Sequence, residues 1–551
     1  MRIPGVEDRE EWANQIIEAC FVSRNERTAF YDRMRSYYMF GSDGSFQPAT
    51  YNKIFSTVDL STAFLFASET TKFSIHLAQS VPKVEYDKVP TLSQCVNDIW
   101  QESHSDMTFG QALTWSHVYG TTLVKLIWNK GVHSYMLNPH DFGVYREDLS
   151  STDQQEAVVH KYKISHTELD TMLRSHPNRV DILNRVSNTS AQDDAGMPTG
   201  LMRLVISSSQ PTMMGNIDAR PNYYEMRPQV AADMVDMFEL YVFDDETNDY
   251  RMLTIAAPGV IIYDRPSFFI PGELPFVKIT PDPIEGYYWG MSMVDKMTGL
   301  QDWRSHRVNQ VRKLLDKQYD PPLALSGFSG IPEEKLMALR RAGGLVANQN
   351  PAAKVENLRP QMPTDTFSEM REIDDMFDEL VGLSNTMRGK GESGVRSMGH
   401  ADLLAKMSSS RVKKKALIVE DSLEKIATLC LRLYQRHSDD KLTYESRDEN
   451  GNVKSLTFIA EQFTRDYTVK VDAHSSSPIF IEDQKEEAMA LLQVGAIDRE
   501  AVLDIFNPPG VQTLKTKLRI REKQEAAQKA AEAQAEQAAP RKDTSPVKAV
   551  K

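Results

Sequence analysis

Residues 290–320 read GMSMVDKMTGLQDWRSHRVNQVRKLLDKQYD, and residues 363–384 read PTDTFSEMREIDDMFDELVGLS. In the first stretch Val294, Met297, Leu300 and Trp303 recur every three residues, and Val308, Val311, Leu314 and Leu315 resume the stripe. That period is helical. Ser292 suits the N-terminal cap, and Asp320-Pro321-Pro322 ends the run because proline disfavours a helical residue before it. At about 1.5 Å per residue the arm is about 45 Å long. In the second stretch Phe367, Met370, Ile373, Phe377, Leu380 and Val381 form the stripe, and Thr366 with Glu369 matches a capping box. The insert between them contains IPEEKLMALRRAGGLV, where Pro332 opens a short helix and Gly343-Gly344 closes it. The order is helix, compact insert, helix. Both arms are polar over most of their circumference, so one narrow stripe serves a lateral neighbour better than a thick core. An ordinary hairpin on a globular body has the same periodicity.

The run EGYYWGMSMVDKMTGLQDWRSHRVNQVRKLLDKQYDPPLAL (residues 285–325) resembles the entry into the stem of tailed-phage portal proteins, the short-tailed phage type in particular. The order that follows is similar as well: stem helix, clip insert, second stem helix, glycine-rich tunnel loop, long returning helix. The resemblance covers most of the chain. It implies an α+β, predominantly helical fold assembled as a ring of about twelve copies. Its parts would be a wing at 1–290, stem helices at 291–320 and 364–385, a clip at 321–363 and a tunnel loop at 386–400. A wing return at 401–480, crown or barrel helices at 481–539 and a disordered tail at 540–551 complete it. Stem packing then falls to Val294, Met297, Trp303, Val308, Val311, Phe367, Met370 and Phe377. The clip residues Glu333, Glu334, Lys335, Arg340 and Arg341 would meet partners, and Arg388, Lys390 and Arg396 of the tunnel loop would approach DNA. Implied partners are double-stranded DNA, held without sequence preference, the large terminase subunit, a tail adaptor, and the major capsid and scaffolding proteins. The place is a unique capsid vertex of the virion, after assembly in the host cytoplasm, with no membrane and no cofactor.

The remaining composition agrees with a large soluble assembly. The chain has 551 residues, 41% hydrophobic and 26% charged, enough for a sizeable core and several sub-domains. Its net charge of −13 makes it a poor candidate for wrapping DNA by phosphate neutralisation and suits a conduit that must not hold DNA fast. Cys20, Cys95 and Cys430 show no CxxC spacing, which argues against a disulfide framework or a cysteine zinc site. The N-terminal stretch MRIPGVEDREEW lacks the apolar core of a signal peptide, and no stretch is long and apolar enough to span a bilayer; LSTAFLFAS at 60–68 reads as buried helix.

Taken in order, residues 7–39 read as helix, with a charged face (Arg24, Glu26, Arg27, Arg33, Arg35) that suits either solvent or nucleic acid. Residues 51–79 read as helix, and 90–128 as two helices broken near Ser105 and ending in TTLVKLIW, a candidate strand. From 131 to 279 β-branched and alternating runs predict a β-rich region, with a hairpin at NDY, a loop over 181–216 and a proline-punctuated connection over 268–290. Residues 386–400, TMRGKGESGVRSMGH, are glycine-rich and basic but lack the GxxxxGK[ST] order of a phosphate loop. Residues 401–437 predict one helix carrying Arg411, Lys413, Lys414 and Lys415, a run that suits a channel, a neighbouring subunit or solvent. KLTYES, NVKSLTFIA and DYTVKVDA predict strands rejoining the β-rich body, with DENGN as a turn.

Candidate catalytic sets are weak. His133, His140, His160 and His166, with Asp141, have no HExxH or HxH geometry for a metal-dependent nuclease, and Asp374, Asp375, Asp378 and Glu379 crowd one helix as a solvated acidic face would. No GxSxG elbow or GxGxxG after a strand is present. A scaffold or tail adaptor is a further non-enzymatic reading, which the stem–clip–stem order disfavours.

Overall fold

The computed structural model describes residues 1–5, 8–42, 51–68, 71–77, 88–191, 234–257, 259–319, 323–326, 332, 334, 354–357, 365–382, 410–447, 453–463, 467–471, 488–494, 499, 502–503, 518 and 521. The helices are α1 (Arg9–Cys20), α2 (Arg24–Phe40), α3 (Lys53–Leu65), α4 (Val89–Glu102), α5 (Ser105–Tyr119), α6 (His166–Met172), α7 (Arg179–Ala191), α8 (Thr298–Tyr319), α9 (Thr366–Val381) and α10 (Ser410–His437).

The β-rich region is a five-stranded antiparallel meander. Its strands are β4 (Phe142–Val144), β5 (Ala157–Ser165), β6 (Met234–Asp244), β7 (Asp249–Ala256) and β8 (Val260–Pro266), in sequence order. Both faces of the first half of β5 and of most of β6 are covered, although β5 carries His160, Lys161 and Lys163 and β6 carries Asp236 and Glu239. Val159, Phe238 and Leu240 pack with Ala13, Ile16 and Ile17 of α1, while Val158 and Tyr241 point to Phe142, Phe276 and Trp289. The expected β6–β7 hairpin closes between Asp244 and Asp249, with Asn248 at φ +52°, a left-handed conformation that Asn tolerates.

Earlier in the chain, β1 (Phe73–Leu77) precedes α4, and β2 (Thr122–Trp128) and β3 (Val132–Leu137) follow α5. A second sheet has the order β3–β2–β9, where β9 is Phe276–Ile279. Two short antiparallel ladders involve the hairpin insert and the late strands: β10 (Leu323–Ser326) with β11 (Lys354–Asn357), and β12 (Lys441–Arg447) with β13 (Val453–Ile459). The fifth sheet pairs β1 with β14 (Tyr467–Val471). The largest core lies around α10. Leu423, Ile426 and Leu433 join Met34 of α2, Ile54 of α3, Trp100 of α4, Phe109 of α5, and the bases of α8 and α9 through Met297 and Phe377. Truncating a core aromatic such as Phe109 removes about 3–5 kcal/mol.

Several expectations change. Residues 51–79 are not one helix: α3 ends at Leu65, and Phe73–Leu77 is a strand because β14, distant in sequence, supplies its ladder. The expected loop over 181–216 is helical as far as Ala191, with Ile182 and Val186 buried one turn apart; 192–216 lie outside the described residues. The connection over 268–290 contains β9. Late strands β12–β14 do not rejoin the five-stranded sheet but form separate two-stranded ladders. The expected helix over 401–437 is described from Ser410, and the DENGN turn lies outside the described residues.

The α2 face divides: Glu26, Arg33 and Arg35 are exposed, as a solvated charged face would be, and the correction concerns the other two. Arg24 and Arg27 are neither solvated nor open to nucleic acid. Arg24 donates to His140 O at 2.8 Å, and Arg27 stacks 4.0 Å from the Trp289 ring centroid and donates to Ser23 Oγ at 2.9 Å.

Candidate functional site: the helical hairpin and its anchor

The hairpin grows from a crossing of two glycines. A Cβ on Gly120 would lie 2.2 Å from Gly290 O, and one on Gly290 would lie 2.3 Å from Thr280 Cγ2. Gly120 also has φ +89°, so both constraints demand glycine there. Gly290 N donates to Thr121 Oγ1 at 2.8 Å, and Met293 N to His117 O at 2.9 Å. Ser292 Oγ donates to Val118 O at 2.5 Å and accepts from Asp295 N at 3.2 Å. The cap expected at Ser292 is displaced: its hydroxyl accepts from the first residue of a short 3-10 turn, Asp295–Met297, whose cap position is Val294 without a side-chain cap bond, and the α-helix proper begins only at Thr298.

An ionic knot sits beside this crossing. Asp282 Oδ2 lies 3.2 Å from Lys296 Nζ and 2.9 Å from Lys415 Nζ. Burial raises the Asp282 carboxyl, but Lys415 and Lys296 outweigh it and hold it below the usual carboxylate range. Beneath it His117 is 1% exposed, with no hydrogen-bond partner on either ring nitrogen. Burial, then the Lys415 charge, pushes its pKa down to about 3, so the ring is neutral.

Above the knot the two arms are joined by charge rather than by a long apolar seam. Arg304 Nε donates to Asp374 Oδ1 at 2.9 Å, and Arg307 Nε to Glu369 Oε1 at 2.9 Å. Lys53 of α3 lies 4.0 Å from Asp374 and 3.9 Å from Asp378. Gln301 is fully buried: its Oε1 accepts from Lys53 N at 3.1 Å, and its Nε2 donates to Ser305 Oγ at 3.2 Å. The capping box expected at Thr366 does not form. Asp365 takes the cap position without a side-chain cap bond, and the Glu369 carboxylate is drawn to Arg307 instead. Asp374 and Asp378 likewise face α8 and α3 rather than solvent alone.

The stem-packing residues divide between base and rod. Val294, Met297 and Phe377 are buried in the chain's own core. Val308, Val311 and Met370 are half-buried, while Trp303 and Phe367 are exposed at 38% and 56%. Leu315 and Tyr319 are exposed further out, beside Arg312, Lys313 and Lys317. In the basic run, Lys415 is engaged within the chain by Asp282, Lys413 is half-buried, Lys414 is exposed, and the Arg411 side chain is outside the described set. Glu334 is helical and exposed; Glu333, Lys335, Arg340, Arg341, Arg388, Lys390 and Arg396 lie outside the described residues, as does most of 495–551.

Asp282, Gln301, Arg304 and Lys53 were not singled out by their local sequence. Their partners are far along the chain, 133 residues for Lys415 and Asp282, so no spacing rule finds them. Of the histidines, His140 is half-buried and neutral, pushed down to about 3 by desolvation and then by Arg24 and Arg27. His160 lies 3.3 Å from Lys125 Nζ, which donates to Glu239 Oε2 at 2.6 Å, a buried tie between β2 and the five-stranded sheet. Among the described residues no group of three or more His, Cys, Asp or Glu is placed to hold a metal ion, and no helix is long and apolar enough to cross a membrane.

No curated protein matches the sequence. A chain of a solved structure titled "Virion of native gene transfer agent (GTA) particle" is similar over 83% of this chain and 89% of that one, at 10% identity and a TM-score of 0.38, too low to carry an argument. A family model described as "Phage SU10 portal protein" matches residues 78–541, and with that match over most of its length the chain belongs to the phage SU10 portal protein family.

Proposed function

We propose that this portal protein forms a closed ring, of about twelve copies, around a channel for double-stranded DNA at one capsid vertex. The observation that carries the reading is the division within α8. Thr298, Gln301, Arg304 and Ser305 are buried, and none of residues 306–319 is. A rod fixed at its base, with Trp303, Leu315 and Tyr319 exposed, gains burial when identical rods stand beside it. Acidic balance supports transit of DNA with few strong bonds to break. In this reading Val308, Val311, Phe367 and Met370 pack between subunits, and Arg388, Lys390 and Arg396 touch DNA transiently. The insert, with Glu333, Glu334, Lys335, Arg340 and Arg341, meets the terminase motor during filling and the tail adaptor afterwards. Assembly would occur in host cytoplasm with capsid and scaffolding proteins. The protein is read as a non-catalytic conduit whose energy comes from the motor. Gel filtration with negative-stain imaging tests this: rings with a central hole are expected, and a monomer under all conditions refutes it. DNA incubated with the protein and magnesium or manganese should stay intact.

A further inference from the structure

Besides apolar packing, the two larger sheets meet through a buried charged cluster. Lys125 stands on β2 of the three-stranded sheet, and His160 and Glu239 stand opposite each other on β5 and β6 of the five-stranded sheet. Lys125 and His160 are each 8% exposed. Lys125 Nζ donates to Glu239 Oε2 at 2.6 Å and lies 3.3 Å from His160 Nδ1, which is itself 3.9 Å from the same Glu239 oxygen. Tyr241 OH also donates to Glu239 Oε2, at 3.2 Å. An ammonium only donates, so Nδ1 is the accepting nitrogen and the ring proton sits on Nε2. One carboxylate therefore serves one cation, with a neutral imidazole beside them. Of the other groups around the ring, Tyr162 stacks on it and Phe276 meets it edge-on. Asp141, the second carboxylate acting on His160, already lies 4.0 Å from Arg24.

We propose that Glu239 is the shared seat of a proton-operated joint: a proton taken from solvent onto His160 Nδ1 claims the carboxylate from Lys125, and β2 loosens from the five-stranded sheet. The new imidazolium and the old ammonium repel each other across 3.3 Å, and only one of them can hold Glu239 fully. A buried ammonium without its partner moves toward water. The strand that carries it starts at Thr122, directly after Gly120 and Thr121, which hold Gly290 at the base of the hairpin. The joint thus lies within one strand of the hairpin anchor, and it does not depend on the ring reading. Burial, then the Lys125 charge, lowers the His160 pKa against the pull of Glu239. The closed joint is therefore complete above the ordinary histidine value of 6.5 and weakens as pH falls through it toward the lowered folded value.

The test is amide hydrogen exchange of the full chain over residues 122–128 and 157–165, read as protection relative to the intrinsic rate at each pH from about 7.5 to about 5. In the parent, protection should fall by up to about tenfold per pH unit below about 6.5, because opening takes up one proton. His160→Asn keeps an oxygen about where Nδ1 lies but cannot take the proton, so its protection should stay flat. Lys125→Met leaves Glu239 without its cation at neutral pH, so the sign reverses: protection should rise as His160 takes the proton and seats on the carboxylate. Equal slopes in the parent and His160→Asn overturn the inference, as does a Lys125→Met variant that loses protection in acid as the parent does. Loss that spreads equally through α10 also overturns it, since the whole chain and not a joint would then be opening. His117 and His140 are the same in every variant, so their titration drops out of the comparison. If one variant does not fold, the other decides.

Discussion

Asp282 and Lys415 lie 2.9 Å apart, joining the connection that enters the hairpin to the first turns of the helix that returns from it. The same carboxylate holds Lys296 at 3.2 Å. Asp282→Asn leaves two ammonium groups beside a neutral amide and a buried, neutral His117. We expect a loss of about 2 kcal/mol, below the range for fully buried pairs because these side chains keep some exposure. Urea unfolding of the variant against the parent checks it.

That pair also sets an acid limit. The folded Asp282 pKa is lowered, so its contribution is complete above the ordinary carboxylate value of 3.8 and is lost as pH falls through the lowered folded value. Stability measured from pH 6 downward should fall less steeply in Asp282→Asn than in the parent below about pH 4.

The arms are held by Arg304–Asp374 and Arg307–Glu369, so Arg304→Ala should loosen α9 from α8. Asp374 is one-third exposed, so solvent screens the pair and the loss should be about 1–2 kcal/mol. A double-mutant cycle with Asp374→Ala reads the coupling; additive losses would show that the two arms are held elsewhere.

Much of this hairpin was legible in sequence, because period-three apolar residues survive any tertiary context. The anchor was not. Lys53 meets Asp378, and Asp282 meets Lys415, only after folding, and each looks like an ordinary surface charge in its own segment. Arg24 and Arg27 misled for the same reason, since Trp289, Pro139 and His140 bury them. The short strands β1 and β9 escaped notice for different reasons: FSIHL alternates but is only five residues long and follows an apolar helix whose reading runs on through it, and FVKI is four residues with no alternation. Packing of Ile182 and Val186 overrode the Ser- and Asn-rich composition that read as a loop in α7.

Gly120→Ala meets a carbonyl at 2.2 Å and a positive φ together. The cost should be at least about 3 kcal/mol, seen as a drop in soluble yield and unfolding midpoint. Gly299, with open space around its Cβ position, should accept Ala with unchanged or slightly raised stability.

All three cysteines are buried, and burial pushes the Cys95 thiol, like that of Cys430, up to about 12 and Cys20 higher still. None should react with a thiol reagent at pH 8 until the chain is unfolded, when all three should react. Rapid labelling of the native chain would contradict the core described.

The most direct measurement is electron cryo-microscopy of the purified full-length protein. The account predicts closed rings in which residues 298–319 of adjacent copies stand side by side around a central hole, with Trp303, Leu315 and Tyr319 covered by neighbours. A lone particle, or rings in which these side chains stay in solvent, would contradict it.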